Sequence, residues 1–335
     1  MLIRTRTLVL SVVLAGAGIA VASAAATLHG HGPILQHQSA RGVPSVAARS
    51  TLTFDQMGAP VRSWMDARAK NDALLYVSDY SSDQVTVFSY PAGKQMGLLS
   101  GLGAPEGMCV DAKDNVYVAR AGASEVSEFA HGGTTPIATF ADPGYFPASC
   151  SVNPKTGDLA VANLEASDHG LPGNVAIYSG SQGSPTYISP PGFYTVYFVG
   201  YDKKANLFAD GTDAEVGANG AFEFGELPHG ASQMQNIVLK GGTIAFPGNV
   251  QWDGRQMTVG DQDNAVIYEI HKSTLVSRTP LTGSSDVVQY FIDGSTVIGP
   301  DAGDADVEFY GFPGGGSPTH ELTGFTMPNG AVVSK

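Results

Sequence analysis

The chain has 335 residues, of which 15% are charged, 42 are glycine and 20 are proline. This composition favours short strands joined by tight turns and argues against a fold built on long, charged surface helices. The formal charge of −13 and the sequence pI near 4.9 argue against a nucleic-acid partner, because phosphate binding depends on clustered Lys and Arg.

The N-terminal segment is typical of a secretory signal peptide. Arg4 and Arg6 precede an apolar run over residues 8–22, and residues 22–24 form a small-x-small cleavage pattern. The run is shorter than the roughly 20 apolar residues that a bilayer-spanning helix needs. We therefore predict that residues 1–24 are removed and that the protein is exported, periplasmic or secreted, with no membrane attachment. An uncleaved anchor is the alternative.

The next segment, residues 25–60, has neither helical nor strand periodicity and predicts a disordered leader. It contains His29, His31 and His37. These histidines are a weak candidate for a metal site, because no fourth ligand or fixed geometry accompanies them. The folded domain is predicted over residues 61–335.

One strand motif recurs six times in that domain: an apolar strand that ends on a small residue followed by a polar one. Equivalent positions are 41, 43, 48, 50 and 39 residues apart, which is typical of radial β-repeats. Each copy is the second of four short strands, and four antiparallel strands form one propeller blade. The sequence thus predicts an all-β fold, a six-bladed β-propeller. The positions taken as equivalent are Val77, Val118, Val161, Ala209, Val259 and Ile298.

The C-terminal residues predict how the wheel of blades closes. Residues 328–330 read Pro-Asn-Gly, like the Pro- and Gly-containing junctions that precede the first strands of other repeats, and only residues 331–335 follow them. We expect these last residues to form a first strand that completes the blade begun near residue 74. Residues 63–66 are the competing candidate for that position.

The two cysteines, Cys109 and Cys150, lie in corresponding strands of neighbouring repeats. An oxidising compartment permits a disulfide between them. They are one residue out of phase in the repeat alignment, which could point them to opposite faces of their strands. Two separately buried thiols are therefore the alternative.

One unit of the chain resembles the NHL-repeat propellers. Residues 105–107 read Pro-Glu-Gly, residues 109–111 read Cys-Val-Asp, residues 114–119 read Asp-Asn-Val-Tyr-Val-Ala, and an apolar strand follows at residues 126–129. As a repeat pattern the similarity covers residues 61–335, and it implies the six-bladed fold. The chain departs from the family where the motif is expected to end in Asp, at Arg120, Asn163 and Pro300.

Polar residues of the junction loops and of the motif ends are the candidate ligand site. In propellers several loops converge around the channel on one face, which suits a small ligand, a protein or a glycan. The same side chains could instead cap strands and satisfy turn backbones. The candidates are Glu106, Arg120, Asn163, Asn249, Asp261 and Asn329, with Asp79 and Asp301 behind them.

A metal-dependent lactonase or hydrolase is the alternative function. The regucalcin and gluconolactonase propellers share the blade count and hold a divalent ion on the channel axis, and Glu106, Asn163 and Asp261 could supply such oxygen ligands here. No segment of the chain matches the ligand motifs of those families. The acidic loops at residues 210–215 and 260–264 lack the spacing of an EF-hand. We therefore predict a monomeric binding protein without catalysis or cofactor, with Ca²⁺ or another divalent ion as the exception to test.

Overall fold

The computed structural model describes residues 62–168 and 170–335. The predicted signal peptide, the leader and its three histidines lie outside the described residues and stay predictions. The described part of the chain forms β-strands and three short 3-10 helices, at Ala67–Lys70, Ala121–Ala123 and Ser179–Ser181. No helix in this part of the chain is long and apolar enough to cross a membrane.

The strands form six antiparallel sheets, each of which is one blade; in blades 2 to 6 the first strand is innermost. Blade 1 contains β1 (Trp64–Met65), β2 (Leu74–Asp79), β3 (Gln84–Ser89) and β4 (Gln95–Ser100). Blade 2 contains β5 (Pro105–Val110), β6 (Val116–Arg120), β7 (Glu125–Phe129) and β8 (Pro136–Ala141). Blade 3 contains β9 (Tyr145–Val152), β10 (Leu159–Ala166), β11 (Pro172–Tyr178) and β12 (Thr186–Ile188).

The remaining blades repeat the arrangement. Blade 4 contains β13 (Thr195–Tyr201), β14 (Leu207–Thr212), β15 (Phe222–Leu227) and β16 (Gln235–Asn236). Blade 5 contains β17 (Pro247–Trp252), β18 (Met257–Asp261), β19 (Val266–His271) and β20 (Thr274–Pro280). Blade 6 contains β21 (Phe291–Asp293), β22 (Thr296–Asp301), β23 (Asp306–Gly311) and β24 (His320–Thr323), and β25 (Pro328–Ser334) returns to blade 1. The predicted six-bladed β-propeller is confirmed.

The wheel is closed by its C-terminal strand, as the sequence predicts. β25 lies innermost in blade 1 and pairs antiparallel with β2, from Leu74 opposite Ser334 to Asp79 opposite Pro328. The competing segment, β1, pairs with β4 at the outer edge of the same blade instead. Blade 1 therefore has five strands and joins the two ends of the described domain.

Apolar side chains on the two faces of each sheet form the cores between neighbouring blades. Successive residues of a strand point to opposite faces, so the repeated motif serves the blade before it and the blade after it. Leu75 and Val77 pack with Ile298 and Phe309 of blade 6, whereas Tyr76 packs in the cluster shared with blade 2. Complete burial of a side chain of this size stabilises the fold by about 1.5–3 kcal/mol.

Cys109 in β5 and Cys150 in β9 form a disulfide between the innermost strands of blades 2 and 3. Their Cα atoms are 5.5 Å apart, within the usual range of roughly 4.4–6.8 Å. The alternative of two separate thiols is therefore wrong. The one-residue offset favours the bridge, because a side chain on the rear face of one blade meets a side chain on the front face of the next.

Candidate functional site

The two ends of the wheel differ in construction. At the end that we call the junction end, each chain segment arrives from the previous blade and enters an innermost strand, as before Pro105 and Pro328. At the opposite end, the hairpin end, turns join the first strand to the second and the third to the fourth, as at residues 111–115 and 202–206. The candidate ligand residues predicted from the sequence lie at the junction end.

Three of these residues are aspartates that end the repeated motif, and each holds the incoming segment of its own blade. The carboxylate accepts hydrogen bonds from two successive backbone N–H groups of that segment, which would otherwise lack partners. The donors and their N–O distances are Thr326 (2.7 Å) and Met327 (3.1 Å) for Asp79, Ala245 (3.1 Å) and Phe246 (3.4 Å) for Asp261, and Ser285 (2.7 Å) and Asp286 (3.1 Å) for Asp301.

The position assigned to Pro300 at the end of the sixth motif is wrong by one residue. Asp301 lies opposite Asp306 across the turn to the third strand, as Asp261 lies opposite Val266 in blade 5. Aligning the motif on the buried Ile298 hid this equivalence. In the structure, therefore, the motif of blade 6 also ends in an aspartate, Asp301, which the sequence alignment had placed one position too late.

Arg120 occupies the same position in blade 2 and makes the same connection with reversed polarity. Its Nε donates to the backbone carbonyl of Leu102, in the segment that enters β5. Its Nη1 donates to the carboxylate of Glu125 and to the hydroxyl of Ser127, 3.1 Å away. The guanidinium is therefore held by its own blade.

Asn163 and Asn249 are buried and hydrogen-bonded within the wheel. Asn163 donates from Nδ2 to Oδ1 of Asn174 on the next strand, at 2.9 Å. Asn249 donates to the carbonyl of Tyr290, at 2.7 Å, and the Tyr290 hydroxyl donates back to the carbonyl of Asn249, at 2.8 Å. The second pair ties blade 5 to blade 6.

Glu106 and Asn329 meet at the seam between blades 2 and 1, next to the closing strand. Asn329 donates from Nδ2 to a carboxyl oxygen of Glu106, and both side chains are buried. Removal from water raises the pKa of Glu106 to about 8, against the smaller opposing effect of the Asn329 hydrogen bond. At neutral pH the carboxyl is thus mostly protonated.

Each candidate residue at the junction end forms at least one hydrogen bond within the protein, although Asn163 Oδ1 and Asn329 Oδ1 are buried without a partner. Only Glu106 and Asn329 contact each other, and all six except Arg120 are buried. These contacts match the capping role that the sequence left open as the alternative. A ligand role for any of the six stays a prediction.

Gln289 crosses the channel at this end, and sequence reasoning missed it. Its Oε1 accepts from the backbone N–H of Met108 at 2.7 Å, and its Nε2 donates to the Met108 carbonyl at 2.8 Å. The link runs from blade 6 to blade 2 over Gly330 of blade 1, where a Cβ would lie 2.5 Å from Gln289 Oε1. The one signal in the sequence is a lone polar residue within the apolar stretch 287–292.

The channel opens at the hairpin end. The first residues of β5 and β17 are buried, whereas Val110, Gln251 and Trp252 at the far ends of these strands are half-buried, as is Phe291 in blade 6. These residues line a cavity of about 250 Å³. The Gln251 amide is hydrogen-bonded to the Ile292 backbone, at 2.8 and 3.1 Å, and Asn249 and Gln289 line the same cavity. The wall is therefore both polar and apolar. A cavity below about 300 Å³ suits one ring or one side chain rather than a whole drug-sized ligand.

Grooves lie between blades at the same end. The larger, of about 710 Å³, separates blades 4 and 5 and shares Trp252 with the central cavity. A smaller one, of about 440 Å³, lies between blades 2 and 3 and contains Lys113, Lys155 and Glu128. The sequence analysis proposed no residue of either groove as a ligand-site candidate, although the lysines lie in the turns between first and second strands, where a repeat alignment could have shown them.

The acidic loops considered for calcium take part in the fold. Asp210 lies in β14, fully buried, and accepts from the N–H of Phe198 at 3.0 Å; burial raises its pKa well above the usual value. Asp213 accepts from the N–H of Ala221 at 2.7 Å. Within residues 62–168 and 170–335, no group of three or more His, Cys, Asp or Glu side chains is placed to hold a metal ion. Metal binding stays a matter for direct analysis.

No protein-family model matches the chain, and no curated protein matches it. Solved structures similar to it include a chain of a nidogen/laminin complex, with a TM-score of 0.65, 10% identity, and coverage of 78% of this chain and 98% of that one. A Bacteroides caccae protein of unknown function has a TM-score of 0.59, 12% identity and coverage of 79% and 100%. Virginiamycin B lyase from Staphylococcus aureus has a TM-score of 0.50, 11% identity and coverage of 68% and 73%.

Similarity at such low identity shows the fold alone. The three structures include a member of a protein complex and an enzyme, so the shared architecture serves more than one kind of function. The described chain is a six-bladed β-propeller.

Proposed function

We propose that the protein is an exported, NHL-like propeller that binds a ligand or partner at the hairpin end of its channel and performs no chemistry of its own. One observation carries this proposal. The candidate side chains at the junction end each form at least one hydrogen bond within the wheel, although Asn163 Oδ1 and Asn329 Oδ1 are buried without one. The hairpin end, in contrast, has a central cavity that shares Trp252 with a larger groove.

The walls of the central cavity suit binding better than catalysis. The residues described there are apolar side chains, amides, Ser151, Tyr201 and the bridged Cys109 and Cys150. Burial raises the pKa of Tyr201 far above neutrality. Such groups can pack against a ligand and form hydrogen bonds, but general acid–base catalysis needs a group that titrates near the working pH.

Two features support export. The N-terminal residues have the charge and apolar pattern of a signal peptide. The Cys109–Cys150 disulfide is typical of a protein that folds in an oxidising compartment. The intact mass of the protein purified from its native compartment tests both features. Cleavage of the signal peptide would remove the mass of residues 1–24, and reduction of the disulfide would add 2 Da.

The chain offers a built-in reporter for ligand binding. It has two tryptophans, Trp64 on the outer edge of blade 1 and Trp252 at the cavity, so Trp64→Phe leaves fluorescence from Trp252 alone. Titration with sugars, peptides and lactones, beside a thermal-shift screen, should give a saturable change. Val110→Phe fills the cavity and should weaken binding at least tenfold, whereas Val276→Phe, at an exposed position of β20, should keep the affinity within twofold of the parent.

The hydrolase alternative has its own signature. Tightly held Ca²⁺ or Zn²⁺ that disappears in Glu106→Ala or Asp261→Ala, together with loss of a lactonase or esterase activity, would contradict the proposal. Metal analysis of the purified protein is the first step of that test.

A further inference from the structure

The groove between blades 4 and 5 concentrates positive charge on an acidic protein. The chain carries 18 Lys and Arg against 31 Asp and Glu. Four of those cations line this one groove: Lys203 and Lys204 in a turn of blade 4, and Arg255 and Lys272 in two turns of blade 5. They therefore form a local positive field on a surface of opposite overall sign.

These cations outnumber the acids of the groove. All four side chains are exposed, and none forms an ion pair with a described residue. Two acids line the groove with them, Asp202 and Glu226. Asp202 accepts hydrogen bonds from the N–H groups of Lys204 and Asn206, at 2.7 and 2.8 Å. Burial and the Asp202 charge raise the pKa of Glu226, against the smaller opposing effect of the Lys204 charge. Four cations against two carboxylates leave the groove with an excess of positive charge.

The floor of the groove is apolar. Phe208, Met257 and Ile270 lie at its base, and Ile237 closes one side. The Lys203 Nζ stands 5.4 Å from the centroid of the Trp252 ring, so a cation covers the aromatic face on which a sugar would stack. Cations around an apolar floor fit a ligand that alternates carboxylates with apolar groups, which an acidic peptide has and a uronic-acid glycan lacks.

We infer that this groove binds an acidic segment of a partner protein, with apolar side chains on its floor and carboxylates against its four cations. The inference rests on the proposed binding role of the hairpin end and names the partner class for it. Recognition of acidic motifs by clustered cations is a recurring mode of peptide binding. The volume of about 710 Å³ accommodates a segment of a few residues, with the central cavity available for one further side chain.

The test uses the full chain carrying Trp64→Phe and a synthetic peptide in which Asp and Glu alternate with Phe and Leu. Three competitors separate the possible ligands: the same peptide with Asn and Gln in place of the acids, poly-L-glutamate, and polygalacturonate. The groove variant is Lys204→Gln, Arg255→Gln and Lys272→Gln combined. Its matched control is Lys70→Gln, Lys94→Gln and Lys113→Gln combined, which makes the same charge change at exposed sites outside this groove.

The acidic peptide should bind. The amide peptide and poly-L-glutamate should bind at least tenfold more weakly. The groove variant should lose at least tenfold in affinity and the control no more than twofold. Raising salt from about 50 to about 500 mM should weaken binding, because exposed charge pairs are screened. Equal losses in variant and control, preference for polygalacturonate, or no binding of the peptide would overturn the inference. If the peptide does not bind but another ligand does, and Val110→Phe abolishes binding of that ligand, the proposed function is supported and this inference is wrong.

Discussion

The junction end and the hairpin end of the propeller are built from the same strands but use their polar residues in opposite ways. At the junction end, buried carboxylates such as Asp79, Asp261 and Asp301 hold the incoming segments of their blades by accepting hydrogen bonds from backbone N–H groups. At the hairpin end, exposed cations around Trp252 have no ion-pair partner among the described residues. Abundant polar residues around a channel therefore do not by themselves mark a ligand site.

This contrast predicts that junction-end changes alter stability, and that hairpin-end changes alter binding. The largest effect should follow deletion of residues 331–335, which removes half of β25. Val332 and Val333 are buried there, and their loss should lower the free energy of unfolding by about 4 kcal/mol or more. Thermal unfolding measures it, with deletion of exposed Lys335 alone as the control. An unchanged melting temperature would refute closure by β25.

Gln289→Ala should have the next largest effect. It leaves the N–H and carbonyl of Met108 without partners in a buried setting, which costs about 2 kcal/mol or more. Urea denaturation gives the value, and Gln95→Ala, at the exposed first residue of β4, is the control. A loss as small as that of the control would show that the bridge across the channel does not stabilise the wheel.

Glu106→Gln should change how stability depends on pH. The folded-state pKa of Glu106 is raised to about 8 from an ordinary 4.5, so the folded state retains a proton that the unfolded chain releases. Its contribution to stability is complete below pH 4.5 and is lost as pH rises to 8, by at most about 1.4 kcal/mol per pH unit. The glutamine variant should be the more stable protein at pH 8 to 9. Parallel pH profiles for variant and parent would contradict this assignment.

The smallest effect on stability should come from the groove variant with three glutamines. Its cations are exposed and unpaired, so their replacement should move the free energy of unfolding by no more than about 0.5 kcal/mol. The same urea series measures it. A decrease of about 2 kcal/mol in the free energy of unfolding would show that these cations stabilise the fold, and the proposed difference between the two ends would be wrong.

The fold was predictable because the sequence features that specify it recur in every blade. The motif that begins with Leu74, the recurring turns and the terminal Pro-Asn-Gly specify blades, their number and their closure without reference to distant contacts. The alignment failed locally at Pro300, where Gly299 takes an inward position that an apolar residue fills elsewhere. Patterns of hydrophobicity alone do not register such a shift.

The site was less predictable, since the sequence shows residue types but not which of their atoms are engaged. Asn249 and Arg120 were reasonable candidates until their partners on neighbouring strands were seen. Gln289 acts across the wheel on Met108, 181 residues away in the chain, and no local pattern connects them. The cations of the groove come from separate turns and gather only when two blades pack together.

The most direct test of the central claim compares Asp79→Ala and Val110→Phe in the Trp64→Phe protein, measuring melting temperature and peptide affinity for each. We predict a crossed result. Asp79→Ala, which removes the acceptor of the Thr326 and Met327 N–H groups, lowers the melting temperature and keeps the dissociation constant within twofold, whereas Val110→Phe keeps the melting temperature and raises the dissociation constant at least tenfold. If Asp79→Ala abolished binding while the protein remained folded, and Val110→Phe had no effect, the ligand site would lie at the junction end and the account would be wrong.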